Sequence, residues 1–368
     1  MRKELLTPRQ ITCLVALFLI GSTAIIGGDT GVAQDSWIAL LLAAAVSMPY
    51  FLMLGRLNRL FPDKDFFQLV EMLLGKIAGK IVIALMTWYC FHLSALVLRD
   101  FSEFVAVCVM PETPHLPIMM LVIVTVIYLT RSGVETMGKW SIIMLPILMG
   151  VVAMTVVLSI NNMEPSRLLP IMSHDIGTIA KTSYVFVTFP YLEIITFLCA
   201  FQGAIEPRKP CKSYLLAFLL ATLTLVVIDV RNTMLLGPHT LEALFFPSYI
   251  AIKVIRLGDI VSRIEGSLSI NYVIGGVAKI AVCILAATKG ITHLFGLRGH
   301  KPLVLPMGLL TAALCTTLFE TVTHLYEFLE TYKLYAIPFQ IIIPVSIWIL
   351  AEIKARKIKA QKTAGSQA

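Results

Sequence analysis

Charge is what this sequence has least of. Only 14% of its 368 residues are Asp, Glu, Lys or Arg, against 58% hydrophobic residues and a mean hydropathy of +0.85. Soluble domains carry about 25% charged residues, so a water-exposed globular surface cannot be built here. Catalytic signatures are missing too: no GxSxG, Walker A, HExxH, CxxC or strand-borne GxGxxG occurs. An intramembrane hydrolase or nucleotide-binding enzyme therefore lacks its residues, and the chain is not expected to be an enzyme. The seven cysteines are scattered, most of them inside apolar runs, and read as buried thiols. No metal or other cofactor is implied. The first outer join, Asp29 to Ser36, holds no cation at all.

What remains is apolar length. A bilayer accepts helices of about 20 apolar residues, because every backbone polar group must be bonded within the segment. Ten candidate spans emerge: 10–28, 37–60, 77–98, 116–130, 139–160, 180–202, 213–236, 266–289, 303–320 and 334–353. The first run exceeds signal-peptide length with no small-residue cleavage site after it, so it reads as a span. The fold class expected is an all-α polytopic membrane protein, a single membrane domain over 1–368.

The net charge of +8 is a topology signal once placed on the spans, and it removes nucleic acid as a partner. One side holds Arg2, Lys3 and Arg9, then Arg56, Arg59, Lys64 and Lys76, then Arg131 and Lys139. It also holds Arg208, Lys209 and Lys212, then Arg298 and Lys301, then the basic tail 354–368. The positive-inside rule puts both termini in the cytoplasm and makes the span number even. Exceptions cluster at Lys253, Arg256 and Arg263. Two joins read as structured. Asp65 to Gln68 spells a capping box before an apolar stripe ending near Gly75, which predicts a short amphipathic surface helix. The stretch 240–256 is amphipathic, with Pro247 inside it, and is placed over an outer vestibule. The tail is expected to rest on anionic lipid headgroups.

Ten spans divide into five and five, 10–160 and 180–353, and an odd number per half inverts the second against the first. Inverted-repeat transporters place their site where the first helix of each half breaks. Span 1 carries Gly21-Ser22-Thr23 and then Gly27-Gly28; span 6 carries Thr188-Phe189-Pro190-Tyr191. Pro190 cannot donate a backbone hydrogen bond. Alone, the first reads as a packing glycine cluster and the second as a simple proline kink; their matching positions predict a paired break.

Ionisable groups inside spans are functional candidates by default. Glu193 follows the span 6 break and is either a cap on the second half-helix or a titrating, ligand-sensing carboxylate. Lys279, beside Gly275-Gly276, is either a fixed cation in the place of a bound sodium or a snorkelling lysine. Tyr89 and His92 share a face of span 3. Asn271 reads as an interhelical hydrogen-bonding group, and Asp229 with Arg231 as a polar rim. The candidate binding set is Gly21, Ser22, Thr23, Tyr89, His92, Phe189, Tyr191, Glu193 and Asn271, with Glu193 and Lys279 for proton or ion coupling.

Several stretches carry a resemblance. They are Gln34-Asp35-Ser36-Trp37, Val97-Leu98-Arg99-Asp100-Phe101-Ser102-Glu103-Phe104, Pro111-Glu112-Thr113-Pro114 and Arg131-Ser132-Gly133-Val134-Glu135. Thr188 to Glu193, Leu236-Gly237-Pro238, Phe246-Pro247 and Ser262-Arg263-Ile264-Glu265 complete the set, with Lys279 beyond. In this order they resemble the B-subunit family of spore germination proteins, within the amino acid–polyamine–organocation transporter superfamily. The resemblance implies a permease-like subunit of a nutrient germinant receptor in the inner membrane of an endospore. It implies A-type and C-type lipoprotein partner subunits, and a small germinant, an amino acid or in some relatives a sugar. Gly21-Ser22-Thr23 is similar to the superfamily's unwound ligand loop, and Phe189 to Glu193 to its span 6 counterpart. Departures are Thr23 for a usual glycine, Gly27-Gly28 for a proline, Tyr191 for a glycine, and Asn271-Tyr272 near a usual tryptophan. A working proton-coupled amino-acid permease is the alternative function.

Overall fold

Backbone groups in a bilayer core have no partner but the chain itself. The computed structural model is accordingly helical, with one isolated β-bridge, Leu6 to Ile205, among the described residues. The structure describes residues 5–21, 23–26, 31–206, 210–254 and 265–365. Ser22, Gly27-Gly28, Arg208-Lys209, Arg256 and Ser262-Arg263-Ile264 lie outside them.

In chain order, α1 (Pro8–Ile20) and α2 (Thr23–Ile26) flank the first break, and α3 (Ser36–Leu60) follows. Next come α4 (Phe66–Leu74), α5 (Lys76–Phe104), α6 (His115–Arg131) and α7 (Val134–Ser159). α8 (Ile176–Phe186) and α9 (Ile195–Phe201) flank the second break, before α10 (Pro210–Leu236), α11 (Pro238–Glu242) and α12 (Pro247–Lys253). The chain closes with α13 (Glu265–Leu294), α14 (Val304–Leu318), α15 (Val322–Tyr335) and α16 (Ile343–Gly365). Among the described residues, eight helical stretches are long and apolar enough to cross a membrane; α1 and α6 are apolar but shorter. These two occupy the expected spans 10–28 and 116–130, and α1 stops well short of residue 28 because the break comes at Gly21.

α13 is the axis of the bundle. It packs along α5 and also touches α1, α6, α7, α9 and α14. Its residues 277–287 are all buried. Four alanines lie in that stretch and Gly275-Gly276 precede it; small residues let membrane helices approach closely. At one crossing the approach is glycine on glycine: a methyl on Gly21 would lie 2.9 Å from the carbonyl carbon and oxygen of Gly275.

The ends of the bundle are pinned by polar contacts. At the basic end, Arg56 forks onto Glu352 at 2.7 and 3.2 Å. There too α4 is a surface helix with the expected Asp65–Gln68 capping box, and Glu71 meets His293 of α13 at 2.6 Å. At the opposite end the fully buried Asp35 accepts from Met172 N–H (2.8 Å), Ser173 Oγ (2.9 Å) and His174 N–H (3.2 Å), and lies 2.9 Å from His174 Nδ1. That carboxylate holds the long join after α7 against the start of α3.

Three expectations change. Residues 240–254 hold the end of α11 and the whole of α12, and Pro247 starts α12, where its missing N–H costs nothing. Asp229 and Arg231 do not form a rim. Arg231 is 2% exposed and donates to Thr155 Oγ1 (2.7 Å) and Asn232 Oδ1 (2.7 Å), while Asp229 accepts from Ser36 Oγ at 3.2 Å. Residues two apart on a helix do not face each other. Finally, the expected last span, 334–353, has a helical approach. α15 buries Leu325 and Tyr332, two turns apart, and exposes His324, Glu327 and Glu330. A wide turn at Pro338–Ile342 joins it to α16.

Candidate functional site

Both expected breaks exist. α1 ends on Gly21, whose N–H reaches Leu17 O at 3.0 Å, and helix resumes at Thr23. α8 ends at Phe186, and Phe189 leaves helical geometry altogether (φ −137°, ψ 113°). Pro190 brings no N–H to repair the ladder, and α-helix resumes only at Ile195. A carbonyl freed in such a turn must be bonded from elsewhere. Gln340, in the wide turn before α16, supplies the donor: its Nε2 reaches Thr188 O at 2.9 Å.

A buried polar cluster grows from this point. Gln340 Nε2 also donates to Tyr89 Oη (2.8 Å), Tyr89 Oη lies 3.0 Å from Tyr332 Oη, and Tyr332 Oη donates to Glu193 Oε1 (2.6 Å). The other oxygen of Glu193 forms an ion pair with Lys279 of α13. Glu193 and Lys279 are 1% and 0% exposed. Lys279 Nζ stands 4.6 Å from the ring centre of Phe189 and 5.4 Å from that of Phe18, so an aromatic ring from beside each break faces the ammonium. Tyr89 stacks on Phe339 at 5.0 Å. Asp100 of α5 lines the same small void as Glu193, Phe189 and Tyr332. That void has about 20 Å³ of space, enough for one water and not for an amino acid. The arrangement is a closed one. It offers a charge pair and a hydroxyl–amide chain, which suits recognition of a small charged molecule, and it contains no activated nucleophile.

Four expected residues meet here: Tyr89, Phe189, Glu193 and Lys279. Lys279 does not snorkel, since it is wholly buried and ion-paired. Glu193 does not cap α9 by its side chain, which is spent on Tyr332 and Lys279. Gly21 lies at the crossing with α13, four residues from Lys279 on that helix and on the same face. Ser22 falls outside the described residues. The structure does not bring the others to the cluster. Thr23 is buried with Asp229, Asn232 and Ser248 around a separate void of about 20 Å³. His92 packs against Trp88 (5.6 Å) and Tyr335 (5.3 Å). Tyr191 turns to α10, bonding Thr222 Oγ1 at 3.0 Å, and Asn271 donates to Leu148 O of α7 at 3.1 Å.

Sequence reasoning missed Tyr332, Gln340, Asp100 and Phe18. Asp100 was in view within the Arg99–Glu103 motif, where Arg99 and Glu103 form a buried pair one turn apart. The signal for Tyr332 was the amphipathic spacing Leu325, Phe328, Leu329, Tyr332 in a stretch that its charges make read as a loop.

Residues 5–324 match the family model described as spore germination protein. The chain is 24% identical over 373 residues, covering all of both chains, to spore germination protein KB of Bacillus subtilis. It is 20% identical over 278 residues, 73% of this chain and 77% of the relative, to spore germination protein XB of Bacillus anthracis. Among solved structures it is similar to MhsT in complex with L-phenylalanine, with a TM-score of 0.70 at 11% identity, covering 95% of this chain and 90% of that one. Mhp1, a nucleobase-cation-symport-1 family transporter in a closed conformation, gives 0.64 at 13% identity, with coverages of 90% and 75%. At such identities these likenesses establish the fold: a transporter fold with interrupted helices.

Proposed function

The chain belongs to the spore germination protein family, and from that premise we propose that it is the permease-like subunit of a nutrient germinant receptor. It binds a small germinant between the two broken helices and triggers germination. The observation that carries the proposal is the Glu193–Lys279 pair, buried where the span 6 break meets α13 and tied through Tyr332 and Gln340 to the broken backbone. Isolated charges in a membrane interior cost several kcal/mol (about 2.5–3.5 on insertion scales), and a packed apolar pair would serve stability as well or better. Retaining the charges fits a binding role. MhsT was solved with an amino acid bound; on a shared fold, that supports an amino acid as germinant here, with a sugar as the other class.

In this reading the halves 10–160 and 180–353 are inverted repeats around the site, both termini face the cytoplasm, and the membrane is the inner membrane of the spore. The A-type and C-type lipoprotein subunits are the partners that carry the signal onward, and no nucleic acid is bound. A proton-coupled amino-acid permease is the alternative on the same fold.

The test pairs two assays. A strain lacking this chain should lose germination to a defined set of nutrients and regain it on complementation. The same chain in liposomes should show no pH-driven accumulation of the labelled nutrient. Normal germination of the deletion strain to every nutrient, with concentrative uptake in liposomes, would replace the receptor with the permease.

A further inference from the structure

We propose that the Glu193–Lys279 pair is a built-in stand-in for the ligand, and that this chain's germinant is a zwitterion that exchanges with it. The germinant's carboxylate takes Lys279 and its ammonium takes Glu193. This deepens the germinant-binding reading above and rests on it.

Position comes first. Lys279 lies one turn beyond Gly275, on the face of α13 that meets the span 1 break at Gly21. Glu193 follows the span 6 break by three residues from Pro190. The pair therefore bridges α13 and the second break beside the first, with Phe18 and Phe189 on the ammonium. Space comes second. The void beside the pair holds about 20 Å³, so a ligand reaching this point must displace side chains and replace what they were bonded to.

Charge then decides what can do so. Both partners are buried, and separating them leaves two uncompensated charges in a low-dielectric interior. A molecule bearing one charge of each sign turns one ion pair into two and leaves no charge alone. A singly charged molecule compensates only one of them. An uncharged sugar compensates neither. Asp100, on the same void, offers the incoming ammonium a second carboxyl. The exchange also has an outlet. Glu193 holds the Tyr332 hydroxyl, which belongs to the chain through Tyr89 and Gln340 to the carbonyl of Thr188. Turning Glu193 toward a ligand releases Tyr332 and with it the grip of α15 on the span 6 break.

The test uses the full-length chain in lipid nanodiscs. The twenty common L-amino acids and a panel of hexoses are screened by ligand-induced shift of the melting temperature. The best amino acid is then compared with its own carboxamide, a cation, and its N-acetyl derivative, an anion. Wild type is expected to bind the zwitterion at least about a hundredfold more tightly than either derivative, the size of effect that one unpaired buried charge produces. The double variant Glu193→Gln/Lys279→Met is expected to bring the three forms within about tenfold, since neither charge of the exchanging pair remains. Equal binding of the zwitterion and its carboxamide or N-acetyl form to wild type would overturn the exchange. So would binding of a hexose with none of the amino acids, a result that keeps the germinant-binding reading while removing this one. The wild-type comparison stands whether or not the double variant folds.

Discussion

Removing the ammonium of Lys279 while keeping its stem isolates the buried pair as a thermodynamic unit. In Lys279→Met the methionine fills the same channel past Phe18 and Phe189, but Glu193, 1% exposed, keeps only the Tyr332 hydroxyl at 2.6 Å. Breaking a buried ion pair from one side costs about 3–5 kcal/mol, because the remaining charge is left without compensation. The lost cation–π contacts add on the order of 1 kcal/mol. Replacing both partners, Glu193→Gln with Lys279→Met, removes the orphaned charge, and glutamine keeps an oxygen for Tyr332. Such double replacements are often neutral, so the double variant should be more stable than the single one, a coupling of at least about 2 kcal/mol. The assay is ligand-free thermal unfolding in nanodiscs at one scan rate, since membrane proteins of this size unfold irreversibly and only a fixed protocol makes melting temperatures comparable. Lys279→Met melting with wild type, or the double variant melting no higher than the single, would refute this coupling.

Three other perturbations follow from the geometry. Gly275→Ala places a methyl into the Gly21 backbone, where nothing can move aside as a side chain would; overpacking of this kind costs about 1–3 kcal/mol, and a lowered melting temperature with weakened germination is expected, against unchanged values if the crossing is loose. Asp35→Asn keeps one acceptor but turns an amide toward the donors of Met172, Ser173 and His174. Faster amide exchange confined to residues 165–175 is expected; a change spread through the bundle would mean the carboxylate does more than hold that join. Orientation is read by cysteine labelling of Glu112→Cys and Ala360→Cys, both at exposed positions, with the first reached from outside and the second only after permeabilisation. Labelling of both sites from one side would contradict the charge asymmetry on which the topology rests.

The sequence made the breaks legible because the residues that cause them act locally. Pro190 lacks its N–H wherever it stands, and Gly21 permits a close crossing that any Cβ would block. Glu193 and Lys279 stood out for the same reason, since a charge among apolar residues needs no tertiary knowledge to be noticed. Their pairing was not legible, because 86 positions separate Glu193 from Lys279 and only packing decides which helix faces meet. That is also why Tyr191 and Asn271, sound as polar or aromatic candidates, turned out to serve α10 and α7. Tyr332 was hidden differently. Its helix carries His324, Glu327, Glu330 and Lys333, so average polarity concealed an apolar face of four residues. Composition over a window is blind to facing; a 3.6-residue period is not.

Sensing of a small germinant through Glu193 is tested most directly by spores carrying Glu193→Gln. The nutrients that act through this chain are first identified by deleting it. Wild-type and variant spores, matched for the amount of the protein, are then compared for germination rate against the concentration of one such nutrient. The expected result is loss of the response with the variant protein accumulating to the wild-type amount, although it melts lower because buried Lys279 loses its ion-pair partner. A dose–response that overlays the wild-type curve would contradict the claim and leave Glu193 as packing.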